Sequence, residues 1–268
     1  MPAKPKLGQN FLQDTQAVQR IVAALGDCSA RTVVEIGPGR GAVTHVLAAR
    51  AQHVLAVELD QEFAAGLRSE FDPGRVTVIH EDVLRFDFAA AAEKAGARLL
   101  VVGNLPYYIT SPILLKLAAS HAALESAVLM MQREVADRVA AEPRSRDYGL
   151  LSLTAQLYGP VEILFTLPPG AFSPPPKVHS TVIRWRFAPR MMELGIEEAG
   201  FLRFVRTAFA QKRKTLVNNL RAAGLQPAAI QNALGRVGIE AQARAESLPM
   251  ESFAALWKEI NGPTYPGE

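Results

Sequence analysis

The sequence predicts an α/β fold: a mostly parallel, doubly wound sheet with helices on both faces, followed by a small all-helical C-terminal domain. Three observations predict it. Short apolar runs of strand length alternate with stretches of helical periodicity over the first two thirds of the chain, the pattern of βαβ units. A glycine-rich turn, Gly37-Pro38-Gly39-Arg40-Gly41, joins the first such run to a helix. After about Pro189 the strand-like runs stop and helical stripes take over.

Residues 1–8 read as a basic arm carrying Lys4 and Lys6, and Gly8-Gln9-Asn10-Phe11-Leu12 follows. Asp14 is a candidate N-cap for a helix in which Val18, Ile21, Val22 and Leu25 fall at helical spacing. Thr32–Ile36 is the first predicted strand, and it runs through the glycine turn into a helix ending near Ala49. His53–Glu58 is the second strand, followed by a helix over Gln61–Glu70. Val76–His80, Arg98–Gly103 and Ser126–Met131 are the third to fifth. Val161–Leu167 and Thr181–Phe187 flank the proline-rich stretch 167–177 and suggest a hairpin-like return at the sheet edge. Beyond it, Ile196–Ala210 carries Phe201, Leu202, Val205, Ala208 and Phe209 on one stripe, and Gln211–Ala223, Pro227–Val237 and Ser252–Ile260 also read as helices. The expected domains are therefore residues 1–189 and 190–268, with a linker near 188–193.

Composition narrows the function classes. The chain has 268 residues, 49% of them hydrophobic, enough for one sizeable core and a small second domain. A formal net charge of +3 and a pI near 9.1 are compatible with a nucleic-acid partner. The single cysteine, Cys28, rules out an intrachain disulfide. No Cys/His cluster has zinc spacing, so no metal is expected. The start of the chain has no apolar signal core, and no apolar run approaches membrane length. A cytoplasmic protein without a membrane partner is expected. Between Phe201 and Ala223 lie Arg203, Arg206, Lys212, Arg213, Lys214 and Arg221, with no acid. This stretch reads as a basic helix suited to RNA phosphates. Gln132-Arg133-Glu134 and Arg138 are a weaker extension of it.

The chemistry gathers at predicted strand ends, where open α/β sheets bind ligands. Asn104-Leu105-Pro106-Tyr107 closes the fourth strand. The glycine turn has the form G-x-G-x-G with an acid, Glu35, before it. That differs from the G-x-G-x-x-G of nicotinamide-binding turns and resembles the first motif of S-adenosylmethionine-dependent methyltransferases, a Rossmann-like class. Gly37 and Gly39 let the backbone turn and approach a ligand. Glu58, ending the second strand, can accept from both hydroxyls of a ribose. After the third strand, Asp82 can accept from an adenine's exocyclic amine and the Val83 amide can donate to a ring nitrogen. An adenine N6 amine is a poor nucleophile because its lone pair is delocalised into the ring. The Asn104 side-chain oxygen and the Leu105 carbonyl can accept its hydrogens and draw it toward tetrahedral geometry. Pro106 stiffens the turn. Tyr107 offers a flat face to a base held out of its stack. Phe172, in Ala171-Phe172-Ser173-Pro174-Pro175-Pro176-Lys177-Val178, is the candidate second aromatic. The leaving group in such a transfer is a neutral thioether, so positioning supplies most of the rate.

Gly8–Leu12, Glu35–Gly41, Glu58, Glu81-Asp82, Gly103–Tyr107 and Phe172–Val178 occur in this order. As an ordered set they resemble the ribosomal RNA adenine N6,N6-dimethyltransferases, specifically the bacterial small-subunit (KsgA-type) branch. The resemblance spans the sheet domain and continues into the helical tail. It implies S-adenosylmethionine as cofactor, with contacts at Asn10, Leu12, Gly37, Glu58, Asp82 and Asn104, and base stacking by Tyr107 and Phe172. It also implies dimethylation of two adjacent adenosines in the 3′-terminal hairpin loop of 16S rRNA, late in assembly of the 30S subunit, by a monomeric enzyme. The alternatives are the related large-subunit (23S) enzyme of the macrolide-resistance type and a mainly non-catalytic small-subunit assembly factor. A DNA adenine methyltransferase is a third, for which the tail is small. Two positions depart from the family pattern: His179 stands where many relatives have an acid, and Tyr108 where many have Asn. Neither is assigned a role from the sequence.

Overall fold

The order of elements follows from where apolar residues are continuous and where they are periodic. The computed structural model describes residues 10–262. Lys4 and Lys6, and Gly8 and Gln9 of the first motif, lie outside the described residues. The chain forms β1 (Phe11–Leu12), α1 (Thr15–Ala24), β2 (Thr32–Ile36), α2 (Ala42–Arg50), β3 (His53–Glu58), α3 (Gln61–Glu70) and β4 (Val76–His80). It continues through α4 (Phe88–Ala95), β5 (Leu99–Asn104), α5 (Thr110–Ala119), β6 (Leu124–Gln132), α6 (Arg133–Val139) and α7 (Leu150–Leu157). Next come β7 (Val161–Leu167), β8 (Phe172–Ser173) and β9 (Ser180–Arg186). The remaining helices are α8 (Met191–Leu194), α9 (Glu198–Ala208), α10 (Leu216–Ala222), α11 (Pro227–Arg236) and α12 (Met250–Asn261).

Among the described residues, seven strands form one mixed sheet in the order β4-β3-β2-β5-β6-β9-β7, with helices on both faces. The five strands from β4 to β6 are parallel, and β9 and β7 are antiparallel additions at one edge. The central strands are covered on both sides, so they carry apolar residues at consecutive positions rather than alternate ones. Val33, Val34, Leu100, Val101 and Val102 are all buried. The winding direction reverses between β2 and β5, which makes their carboxyl ends the switch point of the sheet. Gly103 keeps those two strands close. A Cβ there would lie 3.0 Å from the Ile36 Cβ and 3.1 Å from the Ile36 carbonyl oxygen.

Local signals account for most boundaries. Asp14 caps α1 by accepting from the Ala17 amide at 3.0 Å, as its position before the helical stripe predicts. Asp60 and Asp87 do the same for α3 and α4. Strands β2, β3, β4 and β7 have the bounds read from the sequence. The return at the sheet edge is also present, β7 pairing antiparallel with β9.

Three features differ from the sequence reading. First, Phe11 pairs with Ser173 and Leu12 with Phe172, so β1 and β8 form a separate two-stranded ladder. Strands of two residues carry no periodic signal, and the pairing joins segments about 160 positions apart. Second, the domain boundary is not a single cut near 189. One compact unit holds the residues up to Ala136 together with Pro160–Phe187; the other holds Asp137–Gly159 with the residues from Ala188 onward. The excursion joins the helical unit through its aromatics. Tyr158 donates its hydroxyl to Glu198 at 2.7 Å, and the Tyr148 ring meets Phe209 with centroids 6.2 Å apart. Third, the stretch from Arg203 to Arg221 is not one basic helix. Helix α9 ends at Ala208, Thr215 caps a new helix by accepting from the Asn218 amide, and Lys212, Arg213 and Lys214 sit on the connection. The expected helix over Gln211–Ala223 is thereby shortened to α10. No helix among the described residues is long and apolar enough to cross a membrane.

Candidate active site

A cleft opens at the carboxyl ends of the parallel strands and takes in the switch point. The sequence-predicted cofactor residues Asn10, Leu12, Gly37, Gly39, Glu58, Asp82, Val83 and Asn104 all line it, as do Leu105, Pro106 and Tyr107. Residues separated by almost a hundred positions are thus brought to one wall by strand order.

The glycine turn forms the floor at β2. Gly37, Gly39 and Gly41 have φ of 64°, 55° and 79°, the left-handed region where a side chain is strained. At Gly39 the space is closed as well, since a Cβ would stand 3.0 Å from the Phe11 ring. Glu58 locks this turn to the exit of β3. One carboxylate oxygen accepts from the Gly39 amide at 2.9 Å and the other from the Asp60 amide at 2.8 Å. The carboxylate is buried and each oxygen keeps acceptor capacity beyond its one backbone bond. Asp82 is held in a turn by the Leu84 amide at 3.0 Å.

At β5 the apolar run ends in a polar group whose orientation is determined. Asn104 donates its side-chain NH₂ to the Asn10 carbonyl at 2.9 Å. Only the nitrogen can donate to a carbonyl, so this bond fixes which way the amide faces. The acceptor Oδ1 is the end turned to other partners. The Leu105 amide bonds the Met130 carbonyl at 2.9 Å. The Pro106 carbonyl is engaged by the Ile109 amide at 3.1 Å and the Thr110 hydroxyl at 3.1 Å. Tyr107 is half-buried, and its hydroxyl is 2.8 Å from the Ser180 hydroxyl at the start of β9.

Phe172 is placed elsewhere. It is only 4% exposed, does not line the cleft and belongs to the core that also contains Leu12, opposite which it pairs. The β1–β8 ladder explains this, because it sets Phe172 behind the cleft wall rather than in it. The expected second stacking face is therefore not supplied by Phe172 in this structure. His179 is exposed, and its carbonyl accepts from the Arg133 amide. In the other unit, Arg203, Arg206, Lys212, Arg213, Lys214 and Arg221 are all exposed. Lys212 donates to the Arg146 carbonyl at 2.7 Å.

The sequence reading missed four cleft residues. Phe11 packs against the glycine turn, with the Arg40 guanidinium 4.5 Å above its ring and the Phe63 ring edge-on at 5.4 Å. Leu59 and Tyr108 are large apolar side chains that line the cleft yet stay exposed. Each adjoins a residue already singled out, and Tyr108 was also marked by its departure from the family pattern. Glu35, noted only as part of the turn motif, is buried. Burial pushes its carboxyl up to about 7, Thr44 opposes that shift, and the neighbouring Glu58 carboxylate adds to it. Among the described residues, neither Glu35 Oε2 nor the Thr44 hydroxyl has a hydrogen-bond partner. A buried carboxylate oxygen left in this condition beside a cleft is costly unless something arrives to pair with it.

The family model described as ribosomal RNA adenine dimethylase matches residues 2–262. A ribosomal RNA small subunit methyltransferase A of Acidobacterium capsulatum is 60% identical, over 96% of this chain and 91% of its own. The protein of the same name from Koribacter versatilis is 48% identical, over 96% and 94%. Among solved structures, the 23S rRNA methyltransferase ErmE superposes with a TM-score of 0.70 at 26% identity, covering 94% of this chain and 100% of that one. A dimethyladenosine transferase from Plasmodium falciparum superposes at 0.76 with 22% identity, covering 92% and 95%, which bears on the fold alone.

Proposed function

The chain belongs to the ribosomal RNA adenine dimethylase family, and on that premise we propose that it is a 16S rRNA (adenine-N6,N6)-dimethyltransferase using S-adenosylmethionine. Its substrate is a pair of adjacent adenosines in the 3′-terminal hairpin loop, presented within the 30S subunit or its precursor. It acts in the cytoplasm, as a monomer, late in small-subunit assembly. One observation carries the reading: the ends of β2, β3, β4 and β5 bring Glu58, Asp82 and an Asn104 of fixed orientation to a single cleft.

The residues present fit the methyl donor. Glu35 keeps an unpaired buried carboxylate oxygen beside the glycine turn, suited to a cationic ammonium group. Glu58 is placed for ribose hydroxyls, and Asp82 with the Val83 amide for an adenine edge. Asn10, through its carbonyl, and Leu12 close the side nearest Asn104. When bound, S-adenosylmethionine supplies an electrophilic methyl on a sulfonium centre.

The chain's own residues then act on the acceptor. Asn104 Oδ1 accepts one hydrogen of the adenine N6 amine and the Leu105 carbonyl accepts the other. This holds the nitrogen lone pair out of the ring plane, toward the donor side. The Pro106 carbonyl is already engaged by Ile109 and Thr110, which leaves Leu105 as the backbone acceptor of this turn. Tyr107 presents its ring to the base, steadied through Ser180. Arg203, Arg206, Lys212, Arg213, Lys214 and Arg221 meet phosphates and carry the salt-dependent part of binding.

The small-subunit assignment is favoured over the large-subunit one by the names of the relatives at 60% and 48% identity. Incubation with labelled donor and either under-methylated 30S particles or naked 23S RNA tests it. Label in the 30S particles is expected; label in the 23S RNA alone contradicts the proposal. An assembly factor without activity would label neither.

A further inference from the structure

A second methyl transfer makes a demand that the first does not. After one transfer the adenine amine carries one hydrogen and one methyl group where two hydrogens stood. One of its two acceptors, Asn104 Oδ1 or the Leu105 carbonyl, then faces a methyl. That methyl needs apolar atoms about 3.5–4.0 Å away, beside acceptors that are fixed in place. The Asn104 amide is held by the Asn10 carbonyl, and the Leu105 amide ties the turn to β6 through the Met130 carbonyl.

The two flanks of Asn104 differ. Toward β2, Ile36 pairs with Gly103, so the next position is the glycine turn, which offers backbone and no side chain at Gly37. The ammonium end of the proposed donor belongs on this flank, by Glu35. Toward β6, Asn104 pairs in register with Met130. Paired residues of neighbouring strands share a face, and the strands stand about 4.8 Å apart. Met130 is only 2% exposed, yet it lines the cleft. So do Leu12, Ile21 and Val102, which belong with it to one apolar core. The core therefore reaches the cleft beside the acceptor amide, on the flank away from the donor. Of these four side chains Met130 is the adaptable one. Its unbranched chain has three rotatable bonds. Ile21 and Val102 are stiff at χ1, and Leu12 is tied into the β1–β8 ladder.

We infer that Met130 makes room for the first methyl group while the second is transferred, and that it thereby sets the degree of methylation. The inference rests on the proposed adenine dimethyltransferase reading and deepens it. In the second transfer the N6 lone pair forms the new N–C bond, the C–S electron pair stays with the departing thioether, and the last N6 proton passes to water. The first methyl meanwhile turns toward β6 and lies against the Met130 side chain. An unmethylated amine has no need of this space, so an altered Met130 should slow the second transfer more than the first.

Single-turnover reactions of the full chain with S-adenosylmethionine and under-methylated 30S particles, read by nucleoside mass spectrometry, give the rate of each transfer. Met130→Phe adds bulk to a packed site. It is expected to slow the second transfer about tenfold more than the first, so that N6-methyladenosine accumulates. Met130→Ile stays close to the wild-type volume but is stiff at χ1, and about a threefold bias in the same direction is expected. Met130→Leu should keep the ratio of the two rates within about twofold of the wild type. Melting curves identify the variants that fold, and Met130→Ile decides the question where Met130→Phe does not fold. A wild-type ratio of rates in the folded Phe and Ile variants, or equal slowing of both transfers, overturns the inference. A wild type that forms no N6,N6-dimethyladenosine brings down the underlying reading instead.

Discussion

The cleft of the sheet unit and the basic stretch of the helical unit hold their functional groups in opposite ways. In the cleft each polar group is fixed by a further bond: Glu58 by two backbone amides, Asn104 by the Asn10 carbonyl, Tyr107 by Ser180. From Arg203 to Arg221 the charges are exposed, and half of them sit on a helix-to-helix connection. Methyl transfer depends on reacting atoms held to fractions of an ångström. Attraction to phosphate falls off gently with distance and tolerates mobile side chains. The two regions should therefore fail differently when altered.

The sharpest contrast is expected from Asn104→Ala. Loss of an oriented acceptor at the reacting nitrogen should lower methyl transfer by on the order of 10³. Binding to 30S particles, measured by filter retention, should change by no more than a few fold. Equal losses in rate and binding would erase the distinction between the regions. Replacing Lys212, Arg213 and Lys214 together with Glu should do the reverse. Affinity for the particle is expected to fall on the order of a hundredfold near physiological salt, and the slope of log affinity against log salt to flatten by two to three. The single-turnover rate at saturating particle should be retained.

Glu35 sharpens the comparison from the side of stability. Its folded pKa is raised to about 7 from an ordinary value of 4.5. The unfolded chain therefore releases this proton first, and stability is lost as pH climbs from about 4.5 to 7. Below that window the group costs nothing, and above it the cost is complete, about 3 kcal/mol. Glu35→Gln should match the wild type in denaturant melts at pH 4.5 and exceed it at pH 8, while binding S-adenosylhomocysteine more weakly. A gain of the same size at both pH values would show that burial of this carboxylate is not the cause. The smallest effect is expected for Tyr107→Phe. It keeps the ring and loses one hydrogen bond to Ser180, worth about 1 kcal/mol, so kcat/KM should drop about fivefold with little change in melting temperature.

Much of this was legible in the sequence because parallel strands buried on both faces read as unbroken apolar runs. Leu99–Val102 and Thr32–Ile36 announce themselves, and the residue after such a run lies at the ligand-binding edge. Asn104, Glu58 and Asp82 could be found by that rule. What stayed hidden is set by contacts distant in sequence. The β1–β8 ladder has two residues a side and no period, and it moves Phe172 from a stacking position into the core. Helix α7 carries no local sign that its end will bond residues thirty to forty positions later, at Ala188, Arg190 and Glu198. The break at Thr215 was masked by a run of basic residues that suits a helix surface and a loop equally well. Tyr108 was visible as a departure from a pattern, but its place in the cleft wall came into view only with the fold.

The role proposed for Asn104 is that of the acceptor that readies an adenine amine for methyl transfer. Nucleoside mass spectrometry of 16S rRNA, after under-methylated 30S particles are incubated with S-adenosylmethionine and either wild type or Asn104→Ala, tests this most directly. N6,N6-dimethyladenosine at two adjacent adenosines of the 3′-terminal hairpin is expected with the wild type, and neither mono- nor dimethyladenosine with the variant. Dimethyladenosine formed by Asn104→Ala at the wild-type rate would contradict it.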